Sequence, residues 1–93
     1  MAIGDKRDAN EKEILRIFRQ LHCHWIQMDR YAGFDGVLIT PGGGIHIVEV
    51  KNPARKWSLT DAEKQTKADV EARGGRYNII QTVDDAVELV NRR

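Results

Sequence analysis

Residues 33–53 read GFDGVLITPGGGIHIVEVKNP, and this stretch decides the fold. Residues 34–40 and 45–51 are rich in β-branched side chains, which favour strands, and the Pro-Gly-Gly-Gly run between them supplies turn residues. The stretch therefore predicts a β-hairpin. Because both strands are almost continuously apolar, we expect them to be covered on both faces of a sheet.

Charged residues lie at one end of this hairpin. Glu49 and Lys51 are two residues apart on one strand, so their side chains point to the same face. A structural Glu–Lys ion pair is one explanation, because unpaired buried charge is costly. Asp35 begins the other strand between Gly33 and Gly36, which let a backbone or a ligand approach closely. The alternative is a site that both acids share.

The length of the turn decides whether Asp35 reaches that face. Residues that face each other across an antiparallel ladder lie on the same side of the sheet. A four-residue loop pairing Thr40 with Ile45 would set Asp35 opposite Val50, on the wrong face. We therefore predict a loop of three or five residues, or a bulge, at the consecutive glycines.

Two carboxylates beside a lysine suit the chemistry of a divalent cation. Mg²⁺ is usually held by one or two carboxylates together with waters and phosphate oxygens. Such an ion polarises a phosphate and lowers the pKa of a bound water. Lys51 would position that water or offset the charge that develops in the transition state. Asp35, Glu49 and Lys51 thus predict phosphodiester hydrolysis with Mg²⁺, for which Mn²⁺ should substitute.

Upstream of the hairpin, the pattern predicts one helix and one short strand. Residues 9–21 have apolar side chains at helical spacing, including Ile14. At 100° per residue, Glu11 falls on this apolar stripe and Glu13 falls away from it. Residues 24–31 predict the strand.

Downstream of the hairpin, start and stop signals mark two further helices. Residues 60–63 form a capping box for a helix that should end at about residue 73, before the glycines 74–75. Residues 77–81 predict a strand, and residues 82–85 cap the last helix. We expect one α/β domain over residues 1–93 in the order α-β-β-β-α-β-α. It should have a small mixed sheet, flanking helices and a right-handed crossover between parallel strands.

Composition limits the function classes. The chain has 93 residues, of which 41% are hydrophobic and 31% charged, as in a soluble globular domain. No apolar run approaches the roughly 18–20 residues of a membrane span, and the N-terminus is too polar for a signal peptide. With a single Cys23, an internal disulfide is impossible, and we expect an intracellular protein. The net charge of +1 is unlike that of strongly basic nucleic-acid binders.

The stretch GFDGVLITPGGGIHIVEVKNP resembles the G-x-P-D…PGG…E-x-K core of the VRR-NUC (virus-type replication–repair nuclease) group of the PD-(D/E)XK nuclease superfamily. The following LTDAEKQ…ARGGRYNIIQTVDDAVEL is similar to the family's next helix, Gly-Gly break, strand and final helix, so the resemblance spans roughly residues 11–90. It implies a restriction-endonuclease-like fold and a metal-dependent endodeoxyribonuclease of a bacterial or phage-infected cell. Stand-alone members are associated with homodimers that cut branched DNA such as four-way (Holliday) junctions during DNA repair. A two-fold axis would supply two active sites for paired incisions.

The resemblance also implies roles for individual residues. It assigns metal binding to Asp35, to Glu49 and to the backbone carbonyl of Val50, and it assigns a catalytic role to Lys51. The family's glutamate in the first helix best matches Glu11, which would act on the metal through a water and contribute to catalysis.

Two positions depart from the family pattern. Phe34 occupies the place of the proline that usually precedes the aspartate, so the turn there should be shaped differently. The family often has a glutamine in the helix after the E-x-K strand. Here Glu63 lies nearest to that place and Gln65 lies two residues later, which leaves the role of the glutamine unassigned.

Several other residues have two interpretations. Arg55 and Lys56 follow the active-site strand, and Lys64 and Lys67 lie near one helix face, where they would contact DNA phosphates or remain solvated. Trp57 either anchors its loop or joins a dimer interface.

Histidine and cysteine offer a weaker candidate for metal binding. His22-Cys23-His24 has no second ligand cluster to complete a metal site, and His46 should point away from the proposed site.

Two alternatives to the nuclease hypothesis stay open. One is a non-catalytic DNA-binding or assembly module with a nuclease-like fold. The other is an α/β domain in which Glu49 and Lys51 form a structural pair.

Overall fold

The computed structural model describes residues 9–92. The helices and strands follow the predicted order, with a mixed sheet of four strands and three helices: α1 (Ala9–Gln20), β1 (His24–Gln27), β2 (Gly36–Ile39), β3 (Ile45–Val50), α2 (Asp61–Ala72), β4 (Tyr77–Ile80) and α3 (Val83–Asn91). None of the helices in this part of the chain is long and apolar enough to cross a membrane.

Capping boxes begin two of the three helices. The Thr60 side chain accepts a hydrogen bond from the backbone N–H of Glu63 at α2, and Thr82 does the same with Asp85 at α3. In each box the acidic side chain also accepts from the backbone N–H of the threonine, so donors that the helix cannot satisfy are paired. Both caps confirm the helix starts predicted from sequence.

The sheet has the strand order β1-β2-β3-β4, antiparallel except for the parallel pair β3 and β4. In the hairpin of β2 and β3, Ile39 is paired with Ile45, and the Thr40 N–H donates to the Gly44 carbonyl at 2.8 Å. Residues 41–43 are therefore a three-residue loop. Gly42 and Gly43 have φ angles of 96° and 94°, which residues other than glycine rarely adopt.

The hydrophobic core lies on one face of the sheet, under α1 and α3. Residues from these helices and from β2, β3 and β4 are fully or almost fully buried there: Ile14, Phe18, Leu38, Val48, Val50, Ile80, Ala86 and Leu89. Each large apolar side chain buried in this way contributes roughly 1.5–3 kcal/mol. Phe18 also stacks on Trp25 of β1, with the ring centroids 5.7 Å apart.

The opposite face of the sheet is partly exposed, so the prediction that both faces are covered is wrong. Ile26 of β1 is 41% exposed and Ile45 of β3 is 69% exposed. The helix α2 packs against β4 at one side of the sheet, and its Glu63 contacts Lys51 just after the end of β3. The apolar sequence of a strand therefore did not predict whether a helix covers each of its faces.

The first strand is shorter than predicted, and it ends at Gln27 rather than at residue 31. Asp29 is the reason, because its side chain accepts a hydrogen bond from the Tyr31 N–H at 2.8 Å and its carbonyl accepts from the Ala32 N–H. This local turn competes with the sheet ladder for the same backbone groups. Residues 28–35 consequently form the loop that leads to Asp35.

Candidate active site

Backbone hydrogen bonds hold Asp35 beside β3. Its N–H donates to the Val48 carbonyl at 3.0 Å, and its carbonyl accepts from the Met28 N–H at 2.9 Å. Its carboxylate oxygen Oδ2 accepts from the Val50 N–H at 2.7 Å, the length of a charge-assisted bond. The Asp35 carboxylate therefore lies against the peptide that joins Glu49 to Val50.

The hairpin register places Asp35 on the face of the sheet that carries Glu49. Gly36 is paired with Val48, so side-chain alternation sets Asp35 on the same face as Glu49. The three-residue turn, one of the three alternatives predicted from the requirement for a shared face, produces this register. The structure thus brings Asp35, Glu49 and Lys51 together.

Glu49 is a buried carboxylate in an unfavourable environment. It is 3% exposed, and its Oε1 atom is buried without a hydrogen-bond partner. Burial, the charges of Asp35 and Glu63 and a side-chain hydrogen bond with Glu63 together raise the pKa of Glu49 to about 8, and the charge of Lys51 offsets them only in part. A buried acid with one oxygen left unpaired is a candidate cation ligand.

Lys51 lies between two carboxylates. Its Nζ is 3.3 Å from Glu49 Oε2 and 2.9 Å from Glu63 Oε1, and it lies 5.9 Å from the centre of the Trp57 ring. Burial lowers the pKa of Lys51, but hydrogen bonds and charges from Glu63 and Glu49 outweigh burial, and the pKa is raised overall. Lys51 therefore stays a cation at neutral pH.

Glu63 belongs to the site, although sequence reasoning left its role open. It is the acidic residue of the α2 capping box, and the same side chain contacts Lys51. Burial raises its pKa, but the hydrogen bonds from Thr60 and Lys51 more than reverse this, and the pKa is lowered overall. The signal in the sequence was the capping box itself, because it places an acid in the first turn after the loop that leaves β3.

The loop before Asp35 is fastened to α2 and β4. The Tyr77 hydroxyl donates to the Gly33 carbonyl at 2.6 Å, and the Thr66 hydroxyl donates to the Ala32 carbonyl at 3.3 Å. A Cβ atom on Gly33 would lie only 2.7 Å from the Ala62 carbonyl oxygen. Burial, with the nearby charges of Glu49, Glu63 and Asp35, raises the pKa of Tyr77, so the phenol stays a proton donor to this loop.

The first turn of α1 approaches the site from the core side. Asn10 donates its side-chain amide to the carbonyls of Lys51 and Gln81, at 3.0 and 3.3 Å, and so joins α1 to the ends of β3 and β4. Its neighbour Glu11 is half-buried and Glu13 is exposed, as helical spacing predicted. The catalytic and water-mediated metal role of Glu11 stays a prediction.

The four candidate DNA-contacting cations differ in their environments. Arg55 and Lys56 lie in the exposed loop between β3 and α2, and Lys64 is exposed on α2. Lys67 is bound to Glu71 by two contacts of 2.9 Å, so its charge is already partly neutralised. Contact of these residues with DNA stays a prediction.

Trp57 anchors its loop. The indole N–H donates to the Gln81 side chain at 3.0 Å, and this bond holds the loop after β3 against the end of β4. The ring remains 38% exposed, so it covers Lys51 without being buried itself.

His46 points away from the site, as expected. It is paired with Leu38 on the core side of the sheet, and its Nε2 atom is buried without a hydrogen-bond partner. Burial, together with the charge of Arg92, lowers the pKa of His46. His22, Cys23 and His24 belong to no ligand cluster in the described residues.

A divalent cation fits the donors at the site. Glu49 has a free buried oxygen, and the Asp35 carboxylate lies beside it on the same sheet face. Among residues 9–92, no three His, Cys, Asp or Glu side chains are arranged to hold one ion. An ion here would therefore have two carboxylate ligands and take its other ligands from water, phosphate and backbone oxygens, a pattern typical of Mg²⁺.

Comparisons with known proteins add no information on the function of this site. No family model matches the chain, and neither a curated protein nor a solved structure matches it.

Proposed function

We propose that this protein is a Mg²⁺-dependent DNA endonuclease, with Mn²⁺ able to substitute, that acts on branched DNA such as four-way junctions. One observation carries the proposal. The buried Glu49 carboxylate, whose Oε1 has no hydrogen-bond partner, lies beside the Asp35 carboxylate, and the Lys51 ammonium is 3.3 Å from its Oε2. Two acids and a cation at a strand end form a suitable site for phosphodiester hydrolysis.

We further propose that the fold is restriction-endonuclease-like and that the chain is a VRR-NUC protein. The support is the order of helices and strands together with the PGG turn, which sets Asp35 and the E-x-K strand on one face. The replacement of the usual proline by Phe34 does not disturb this, because Asp35 still reaches the Val50 N–H.

The proposed mechanism gives each side chain a separate task. A bound Mg²⁺ would supply Lewis-acid activation of the phosphate and of a water. Asp35, whose second oxygen is oriented by the Val50 N–H, and Glu49 would hold the ion, with the Val50 carbonyl as a further ligand. Lys51 would stabilise negative charge on the phosphate, since it stays protonated in the site. Glu11 would orient a water of the ion.

A homodimer would give the two active sites needed for paired incisions, and we propose one on the open sheet face. Apart from Glu49 at the candidate site, the residues pointing to this side from β1, β2 and β3 include no Asp, Glu, Lys or Arg: His24, Ile26, Val37, Ile39, Ile45 and Ile47. A two-fold interface joins the same patch from each subunit, so an uncharged patch meets no repulsion from its copy.

The test is cleavage of a four-way junction, a flap and a linear duplex of equal length, each with Mg²⁺ and with EDTA. We expect Mg²⁺-dependent cleavage of the branched substrates, reduced roughly 100- to 1,000-fold in Asp35→Asn, Glu49→Gln and Lys51→Met variants. Glu88→Gln is the control, because it removes an exposed carboxylate of α3 that pairs with Arg92.

Other outcomes would identify the alternatives. Metal-independent DNA binding without cleavage by the folded wild-type protein would indicate a binding module. A Lys51→Met variant that is as stable as wild type or more stable, with DNA processing unaffected, would indicate a structural ion pair.

A further inference from the structure

The first turn of α2 contributes a side chain to the site. Oε1 of Glu63 accepts a hydrogen bond from Lys51 Nζ at 2.9 Å and another from the Thr60 N–H at 2.9 Å. The Lys51 and Glu63 side chains are only 14% and 15% exposed. A single oxygen therefore ties the candidate catalytic lysine to the start of a helix.

This link gives Lys51 a second partner besides Glu49. Lysine has a flexible four-carbon stem, so its ammonium keeps one position only when fixed partners hold it. The contact with Glu63 at 2.9 Å is shorter than the contact with Glu49 at 3.3 Å. If the Glu49 carboxylate coordinates a metal ion, Glu63 remains as the partner of the Lys51 ammonium.

The charge of Glu63 also matters for an ion at the site. Asp35, Glu49 and Glu63 set three carboxylates against the single ammonium of Lys51, which leaves two negative charges when all are ionised. A divalent cation would be neutralised by this arrangement. Without the Glu63 carboxylate, the ion and the Lys51 ammonium would share too little negative charge and would repel each other.

We propose that Glu63 is a positioning residue that holds the Lys51 ammonium beside Asp35 and Glu49 and completes the charge that a divalent cation needs there. This inference rests on the proposed function, because it assigns Lys51 to phosphate chemistry. Glu63 acts through Lys51 and through the charge of the site.

Two variants separate this role from simple helix capping. Glu63→Gln keeps the side-chain length and an oxygen that can accept from the Thr60 N–H, but it removes the charge. Thr60→Ala removes the bond from the Glu63 N–H to the Thr60 hydroxyl, at 3.2 Å, and leaves the Glu63 carboxylate in place. Glu88→Gln again controls for the loss of a carboxylate from a Glu–Arg pair far from the site.

The first measurement needs neither metal nor DNA. In the ¹⁵N NMR spectrum of the metal-free protein, the ammonium signal that is absent from Lys51→Met belongs to Lys51. We expect this signal to be protected from solvent exchange in wild type, Thr60→Ala and Glu88→Gln. In Glu63→Gln it should exchange about 10-fold faster or disappear, because a neutral amide binds an ammonium more weakly.

The second and third measurements test the metal site and the reaction. Mn²⁺ affinity should fall roughly 10- to 100-fold in Glu63→Gln, and kcat for junction cleavage should fall by a similar factor with KM for DNA nearly unchanged. Thr60→Ala should keep the Mn²⁺ affinity and kcat of wild type at a temperature where both are folded.

The results distinguish the two proposals. If Glu63→Gln matches Glu88→Gln in ammonium exchange and Mn²⁺ affinity, or if Thr60→Ala reproduces every loss, the positioning role is wrong. If wild type cleaves no DNA while the Lys51 signal and Mn²⁺ affinity depend on Glu63, the nuclease assignment fails and the positioning of Lys51 by Glu63 stands.

Discussion

Glu49 shows how a single residue can oppose the stability of the fold. Its buried oxygen lacks a partner, and burial raises its pKa from 4.5 to about 8. The folded protein thus keeps a proton on Glu49 that the unfolded chain releases. Between these two pKa values the folded state binds more protons than the unfolded state, so its stability falls as pH rises.

We predict that the metal-free protein loses stability between pH 5 and pH 8, and that Glu49→Gln removes most of this loss. The lowered pKa of Glu63 changes the stability only below its ordinary value of 4.5, and the raised pKa of Lys51 only above its ordinary value of 10.5. The lowered pKa of His46 acts in the opposite direction below its ordinary value of 6.5, in the wild type and the variant alike, so the difference between the two proteins reports Glu49. Urea unfolding in EDTA at both pH values measures the effect. At pH 8 the variant should be more stable than wild type by about 1–3 kcal/mol.

Added Mg²⁺ should make the wild type more stable than the Glu49→Gln variant at pH 8. If Glu49 is a metal ligand, the ion would bind its ionised form in the wild type, release the proton and stabilise the folded state by mass action. A wild type whose stability does not change with either pH or Mg²⁺ would contradict the assignment of Glu49 as a metal ligand.

At the scale of helices and strands, the site depends on how the loop before Asp35 meets α2. Gly33 has a φ of 82° and lies so close to the Ala62 carbonyl that a Cβ atom would have to displace it. The Tyr77 hydroxyl binds the Gly33 carbonyl from β4. The loop thus joins α2 and β4, and Asp35 follows it by two residues.

We predict that Gly33→Ala is more damaging than Gly42→Ala. Gly42 has a φ of 96° and no atom within 4 Å of a Cβ, so alanine there adds backbone strain of about 1 kcal/mol without a clash. Gly33→Ala adds the same strain and a steric clash, for a total of about 2–4 kcal/mol. Thermal unfolding gives the stability difference.

Mn²⁺ titration of the same two variants tests the link to the site. Mn²⁺ affinity should fall in Gly33→Ala because Asp35 is displaced, and it should be unchanged in Gly42→Ala. Equal effects of the two variants would show that the loop does not position Asp35.

At the scale of the whole molecule, the sheet has one covered face and one open face. The hydrophobic core under α1 and α3 holds the chain together, while Ile26 and Ile45 remain 41% and 69% exposed on the other side. A chain of 93 residues would gain stability by burying this apolar surface in a subunit interface.

We predict that Ile45→Lys converts the proposed dimer to a monomer with the fold intact. Light scattering after gel filtration gives the mass, and circular dichroism checks the fold. Gln20→Lys adds the same charge at an exposed position of α1 and should remain dimeric. A monomeric wild type at micromolar concentration would rule out the homodimer.

Local signals account for most of the architecture. Capping boxes are contained within four residues, as at 60–63 and 82–85, and a turn of consecutive glycines is equally local. Because the partners of each signal are close in sequence, the helix starts and the hairpin were predictable. The shared face of Asp35 and Glu49 followed from strand alternation once the turn length was constrained by the chemistry.

Contacts between distant parts of the chain account for most of what was missed. The exposure of Ile45 depends on where α2 packs on the sheet. The early end of β1 instead has a local cause, the turn at Asp29 that competes with the ladder. The Lys51–Glu63 pair joins residues 12 apart across a loop whose path the sequence does not specify.

The sequence alone determined the order of helices and strands, the position of the hairpin and the set of charged residues at its end. It could do so because hydrogen bonding within a turn and side-chain alternation along a strand act over a few residues. Only the tertiary structure decided that α2 brings Glu63 to Lys51, that Asn10 joins α1 to the ends of β3 and β4, and that one sheet face stays open. Those features depend on the packing of whole helices against the sheet, where burial of apolar surface outweighs local preference.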